Sequence, residues 1–216
     1  MSNPPGLTSP GHNCPLCPRL AGFRSVQRAA HPDWHNAPVP SWGNPEAELL
    51  IVGLAPGLRG ANRTGRPFTG DYAGDLLYAT LRKFGLASGN YAAHIGDGLV
   101  LDHARITNAV RCVPPQNKPE TTEIAACRPY LAAEIAALPR LRAVLALGAI
   151  AHHAVLTARE LRRAPYPFRH GALHTLPDGL ILADSYHCSR LNTNTGTLTT
   201  EMFEAVFAVI AERLAL

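Results

Sequence analysis

Residues 48–71 read ELLIVGLAPGLRGANRTGRPFTGD. The opening seven, 48–54, are a short aliphatic run with the length and character of a strand buried on both faces. The rest, broken by Gly and Pro and carrying three Arg, follows that strand as a loop, and a helix is predicted beyond it over 74–84. The pattern repeats outward along the chain. Short apolar runs stand at 104–110 (ARITNAV), 142–147 (RAVLAL) and 179–183 (GLILA), with helices predicted over 121–137, 148–161 and 200–216. Strand alternating with helix marks a parallel sheet with right-handed crossovers, so the fold class is α/β around a central four-stranded parallel sheet. Ligands bind such sheets beyond the carboxyl ends of the strands. Function is therefore sought in 55–71, in 111–119 (RCVPPQNKP), at Gly148 and in 184–196 (DSYHCSRLNTNTG).

A chain of 216 residues can bury one sizeable core, so a single domain over 1–216 is predicted. Its first 45 residues, rich in Pro, Gly, His and Asn, are expected to form an irregular arm with one helix near 19–30. Hydrophobic residues at 46% and charged residues at 17% exclude a disordered tail. No apolar run approaches the roughly 18 to 20 residues that span a bilayer, and the N-terminus lacks a signal-peptide core. A soluble, cytoplasmic chain without a membrane partner is the expectation. Twenty basic residues, eighteen of them Arg, stand against sixteen acidic ones, and the net +4 is a weak pointer to a polyanionic partner.

Five cysteines in an intracellular chain point to metal or redox chemistry before disulfides. Cys14 and Cys17 form a C-x2-C turn flanked by Pro15 and Pro18, while Cys112 and Cys127 stand singly and far apart. Four soft ligands select zinc or an iron–sulfur cluster, and two widely separated single cysteines favour the cluster. Alternatively, Cys112 and Cys127 are small buried hydrophobes. Cys188 reads as an unligated thiol.

The 55–71 loop is not a Walker A sequence, since no G-K-[ST] closes it, nor does it hold G-x-G-x-x-G. Gly53 and Ala55 let backbone approach a ligand, Phe68 offers a ring for a flat base or is a core residue, and Asp71 can cap a helix. In 185–196, His, Arg, Ser, Asn and Thr make a dense set of donors suited to phosphates, with His187 presented to a ligand. A polar surface loop is the plainer alternative, but this loop, the first loop and Asn108 should open on one sheet edge.

GLAPG, NRTGRPFTGD, AVRCVPPQNKP, PFRHGA and SYHCSRLNTNTG together resemble the family 5 uracil-DNA glycosylases, an iron–sulfur branch of their superfamily. The resemblance runs from Cys14 to the last helix. It implies a three-layer sandwich, a structural 4Fe-4S cluster on Cys14, Cys17, Cys112 and Cys127, and DNA as partner, with the enzyme a monomer. It further implies a DNA repair glycosylase that flips out uracil, or another deaminated base such as hypoxanthine, and hydrolyses its glycosidic bond. His187 would then donate to the departing O2, Phe68 would stack, and Asp71, with Asp75 in reserve, would serve the water. Leu54 and Ala55 stand where many relatives carry a polar group. Asn108 is expected to read the uracil edge and Leu191 to wedge into the vacated stack. Arg59, Asn62, Arg63, Ser185, Ser189, Arg190 and Asn192 are expected to meet DNA, with positive charge concentrated in 59–66 and at Arg190. A non-catalytic iron–sulfur or zinc protein that binds DNA or senses redox state is the alternative.

Overall fold

The structure is a computed structural model and describes residues 9–215. The first eight residues of the expected arm and Leu216 of the last predicted helix lie outside the described residues. The chain runs α1 (Pro18–Ala30), β1 (Trp42–Gly43), β2 (Leu49–Gly53), α2 (Ala61–Thr64), α3 (Tyr72–Lys83), β3 (Ala87–Ser88), β4 (Val100–Leu101) and β5 (Ala104–Asn108). It continues through α4 (Thr121–Ala137), β6 (Ala143–Leu147), α5 (Ala149–Ala158), β7 (Leu173–Thr175), β8 (Ile181–Ser185), α6 (Arg190–Asn194) and α7 (Thr200–Leu214). The sheet order is β1-β5-β2-β6-β8-β7. Its four inner strands are parallel and match the four predicted runs, but the sheet has six strands, because β1 and β7 add antiparallel edges. Strands of two or three residues are too short to show a period of two, which is why the edges escaped the sequence reading.

Alternation along the strands divides the core into two layers of packing. Leu49, Ile51, Leu145 and Leu147 face α3 and α7, where Leu77, Leu81, Phe203 and Phe207 meet them. Leu50, Val52, Val144 and Ala146 face α4 and α5, against Leu131, Ile135 and Val155. The sheet is thus a middle layer between helices, with its parallel strands ending on one edge.

The last inner strand runs two residues further than its apolar stretch, so that Asp184 and Ser185 are strand residues with no exposed surface. A buried carboxylate must be paired. His152, on α5, answers Asp184: its Nδ1 lies 2.6 Å from Oδ1, and its Nε2 is 2.9 Å from the Tyr166 carbonyl. With an acceptor on each side, the ring is held between α5, β8 and the 166–172 segment.

Candidate active site

At the carboxyl ends of β2, β5 and β8 a cavity of about 650 Å³ opens, lined among others by Ala55, Phe68, Asp71, Asn108, His187 and Arg190. Asn108 closes β5 and is buried, and among the described residues no hydrogen bond within the chain engages its amide. Its place depends on Gly53 opposite. A Cβ there would come within 2.5 Å of Asn108 Oδ1 and 2.7 Å of the Phe68 ring.

Phe68 has φ of +52°, a region that a bulky side chain rarely enters. Its neighbours hold it there. Tyr78 Oη donates to the Pro67 carbonyl at 2.5 Å and Tyr91 Oη to the Phe68 carbonyl at 3.4 Å. Arg66, buried, makes a two-pronged bond to Asp97 at 2.9 and 2.7 Å, donates from Nε to Thr69 Oγ1 and lies 4.7 Å from the centre of the Trp42 ring. The Phe68 and His187 rings are 5.8 Å apart. A flat ring inserted between them would need about 7 Å, two van der Waals contacts of about 3.5 Å each. A flat ring in this cavity has room on one face of Phe68 but not between the two rings.

His187 follows β8, and its carbonyl accepts the Asn192 amide at 2.8 Å. Burial pushes the imidazole down from its ordinary value, so at neutral pH the ring is uncharged and offers one N–H. Asp71 caps α3 by accepting the Gly74 N–H at 3.3 Å. Its carboxylate lies against the first loop, where Gly60 is needed, since a Cβ there would fall 2.3 Å from Oδ2. Burial pushes the Asp71 carboxyl above its ordinary value, Asp75 adds to this, and the backbone N–H groups of Gly74 and Ala73 oppose it. Asp75 itself is exposed and does not line the cavity. Leu54 and Ala55 line it but bring no proton acceptor.

The residues expected to meet DNA divide into two groups. Arg59, Ser189 and Arg190 line the cavity, with the Arg190 guanidinium 5.5 Å over the Tyr72 ring; Arg63 is exposed, and Leu191 is 71% exposed on α6. Asn62 and Ser185 have no surface to offer. Asn62 donates to Asn36 Oδ1 at 2.9 Å, joining the arm to the first loop, and Ser185 Oγ donates to the Tyr186 carbonyl. Asn192 is half-buried with its amide on His187, so its part is to hold that residue. Arg66, included in the expected basic stretch, is turned inward to Asp97 and faces no phosphate.

Cys14, Cys17, Cys112 and Cys127 line one small hollow beside Leu20, Arg24 and Tyr130. Arg24 is buried, and its Nη1 points at Cys112 Sγ at 3.1 Å and its Nη2 at the Cys14 carbonyl at 2.9 Å. Burial raises the thiols of Cys17 and Cys127, and that of Cys112 to about 11. Cys188 is packed in the main core, its thiol pushed up to about 12 by burial.

Two residues that bear on the site lie in the 111–119 segment without having been singled out within it. Arg111, between Asn108 and Cys112, is fully buried and bonds Ser41 Oγ at 2.6 Å and Glu134 at 3.2 Å. Arg105 holds the other Glu134 oxygen at 2.5 Å, and together these cations keep that carboxyl below its ordinary value despite its burial. Asn117, at the cavity rim, follows Gln116, and both have positive φ. The PPQN turn was its only hint.

Residues 40–211 match the family model described as the uracil DNA glycosylase superfamily. A type-5 uracil-DNA glycosylase of Thermus thermophilus is 49% identical over 208 residues, covering 94% of each chain. Proteins of the same description from Mycobacterium tuberculosis and Pyrobaculum aerophilum are 42% and 40% identical; each match covers 90% of this chain, with 75% and 86% of theirs.

Proposed function

The chain belongs to the uracil-DNA glycosylase superfamily, and from that membership we propose that it is a DNA repair hydrolase that removes uracil from DNA and leaves an abasic site. The observation that carries the reading is the convergence of Phe68, Asn108, Asp71 and a neutral His187 on one cavity at the strand ends. We read the chain as one glycosylase domain acting as a monomer.

Extracting the base costs a few kcal/mol of stacking and pairing, less where uracil is mispaired. Phe68 regains part of that by stacking, and Leu191, exposed in the free protein, fills the gap left in the duplex. The Asn108 amide accepts from N3–H and donates to O4, a pattern that uracil presents and cytosine does not. As the glycosidic bond opens, negative charge gathers on the base and positive charge on the sugar. The His187 N–H donates to O2, where one such donor is worth about 3 kcal/mol of barrier. The Asp71 carboxylate takes the water proton and faces the cationic sugar. Arg59, Arg63, Ser189 and Arg190 engage phosphates.

The four cysteines are read as holding a structural 4Fe-4S cluster. The wide separation of Cys112 and Cys127 along the chain supports this over zinc, whose sites more often supply a second close C-x2-C pair. The chemistry of the hollow supports it too, because Arg24 is a buried cation whose described partners are a sulfur and a carbonyl, a setting that suits anionic thiolates. When bound, the cluster supplies a rigid tie between the arm and the 112–127 region.

The test is a labelled oligonucleotide carrying one uracil, incubated with the protein and then with alkali. Strand cleavage at that position is expected. Binding without cleavage would overturn the enzyme reading in favour of a non-catalytic DNA-binding protein.

A further inference from the structure

A second hollow, of about 260 Å³, lies across the 109–121 segment from the cavity. The two share that segment as a wall: Asn108 and Asn117 face the first, while Ala109, Pro119 and Thr121 face the second. Its other walls are α4 and α5, and Ile150, in the first turn of α5, stands 48% exposed beside it. Among the described residues no carboxylate lines it. Arg128 and Arg163 do, both exposed, with His153 and Thr157 between the helices.

Arg19 is matched with Glu123, Arg140 with Glu48 and Arg159 with Asp178, whereas other exposed arginines, Arg63 and Arg82 among them, have no acidic partner among the described residues. Among the described residues Arg128 and Arg163 have no acidic partner, and the Arg163 guanidinium makes a 3.4 Å contact to Thr157 Oγ1. Burial and the nearby Arg163 push the His153 imidazole down, so the positive charge here is that of the two guanidiniums. Two arginines in a groove walled by a segment that also borders the cavity suit a row of phosphates, and an exposed Ile beside them suits the apolar face of deoxyribose.

We propose that this groove is a second DNA-backbone site, with Arg128 and Arg163 holding phosphates of the duplex flanking the extracted base. The proposal rests on the glycosylase reading and adds to it a place for the flanking backbone. Its consequence is that the groove sets affinity and salt dependence and leaves the chemical step alone.

Affinity of wild type, of Arg163→Gln and of Arg128→Gln/Arg163→Gln is measured by fluorescence anisotropy between 50 and 200 mM salt, on a labelled undamaged duplex and on one carrying a non-hydrolysable uracil nucleotide. Losing two phosphate contacts should weaken binding roughly tenfold and make the slope of log K against log salt shallower by about two. Single-turnover excision at saturating enzyme should stay within about twofold of wild type. Arg163→Lys should restore the slope, and Arg163→Gln alone, remote in sequence from the cysteines, should give about half the change. Unaltered affinity and slope in the double variant would overturn the site, as would an effect on excision alone. Binding of an acidic protein, lost in the variants while DNA binding is kept, would overturn it as well. Should wild type excise no uracil, the glycosylase reading fails, while the undamaged duplex still reports on the groove.

Discussion

Under the proposed function Asp71 has two tasks that a single substitution can separate. As the cap of α3 it needs only an oxygen that accepts the Gly74 N–H, and Asn supplies one. As the acceptor of a water proton it needs a negative charge, which Asn lacks. Asp71→Asn should therefore leave the apparent Tm nearly unchanged and lower single-turnover excision by about 10² to 10⁴, the range for a positioned general base. A rate within threefold of wild type would move the role to Asp75 or to a water held by substrate. The sign of the pH dependence follows from burial. Its carboxyl is pushed up, so the base is protonated and activity lost at a higher pH than an ordinary carboxylate would give, and this acid limb should vanish in Asp71→Asn. Asn108 makes the parallel case for substrate. With its amide uncommitted within the chain, Asn108→Ala should cut uracil excision by about 10-fold to 100-fold, one or two hydrogen bonds to the base, and narrow the ratio of uracil to hypoxanthine rates. An unchanged ratio would remove it from base reading.

Among the elements, the first loop shows what its sequence could and could not say. The Gly and Pro of 55–71 announced a turn at a strand end, and the cavity is there. What Gly57 and Gly60 leave room for is a side chain of the protein itself, since they lie beside the Asp71 carboxylate. Arg66 and Asn62 looked like surface donors, because residue type does not tell which partner waits thirty residues away. Asp97 and Asn36 are those partners, and no spacing rule connects them. The inner strands were legible from their aliphatic runs. Strand β8 was cut short at Ala183 because Asp184 and Ser185 are polar; His152 and the Arg169 N–H answer the Asp184 carboxylate, and the Tyr186 carbonyl answers Ser185. The Arg66–Asp97 pair carries a prediction for the whole loop. Asp97→Asn leaves a buried guanidinium half-answered, a cost of about 3 to 5 kcal/mol and hence a fall of roughly 10 °C in apparent Tm. Arg66 holds the Asp97 carboxyl well below the usual carboxylate range, so the pair contributes fully above about pH 4 and weakens only as pH falls through the folded value. The difference between variant and wild type should then be flat from pH 5 to 8. A Tm within 2 °C of wild type would show that the aromatic contacts alone keep Phe68 in its strained conformation.

At the scale of the molecule, the open question is what holds the arm. Helix α1 buries only Leu20 and Arg24, too little apolar surface to dock thirteen residues against their conformational entropy. Polar contacts help, among them Arg19 to Glu123 at 2.7 Å and Ser41 to Glu134 at 2.7 Å. Ion pairs of the first kind, partly exposed, contribute about 1 kcal/mol or less. The thiols stand in the remaining gap: Cys14 and Cys17 on the arm, Cys112 beyond β5 and Cys127 on α4, with Arg111 fixing the stretch from Asn108 to Cys112. A cluster there would therefore act on the cavity by keeping that stretch in place. The purified protein should be brown and hold about four iron atoms per chain, as four thiolates imply. Cys17→Ser should lose most of the iron, and a protease should then nick 9–40 well before it cuts the sheet-bearing remainder, while uracil excision falls. Stoichiometric zinc without iron would replace the cluster by zinc on the same four thiolates. An iron-free variant whose arm stayed as protected as wild type would show instead that the buried Arg and Glu network holds the arm without help from the cysteines.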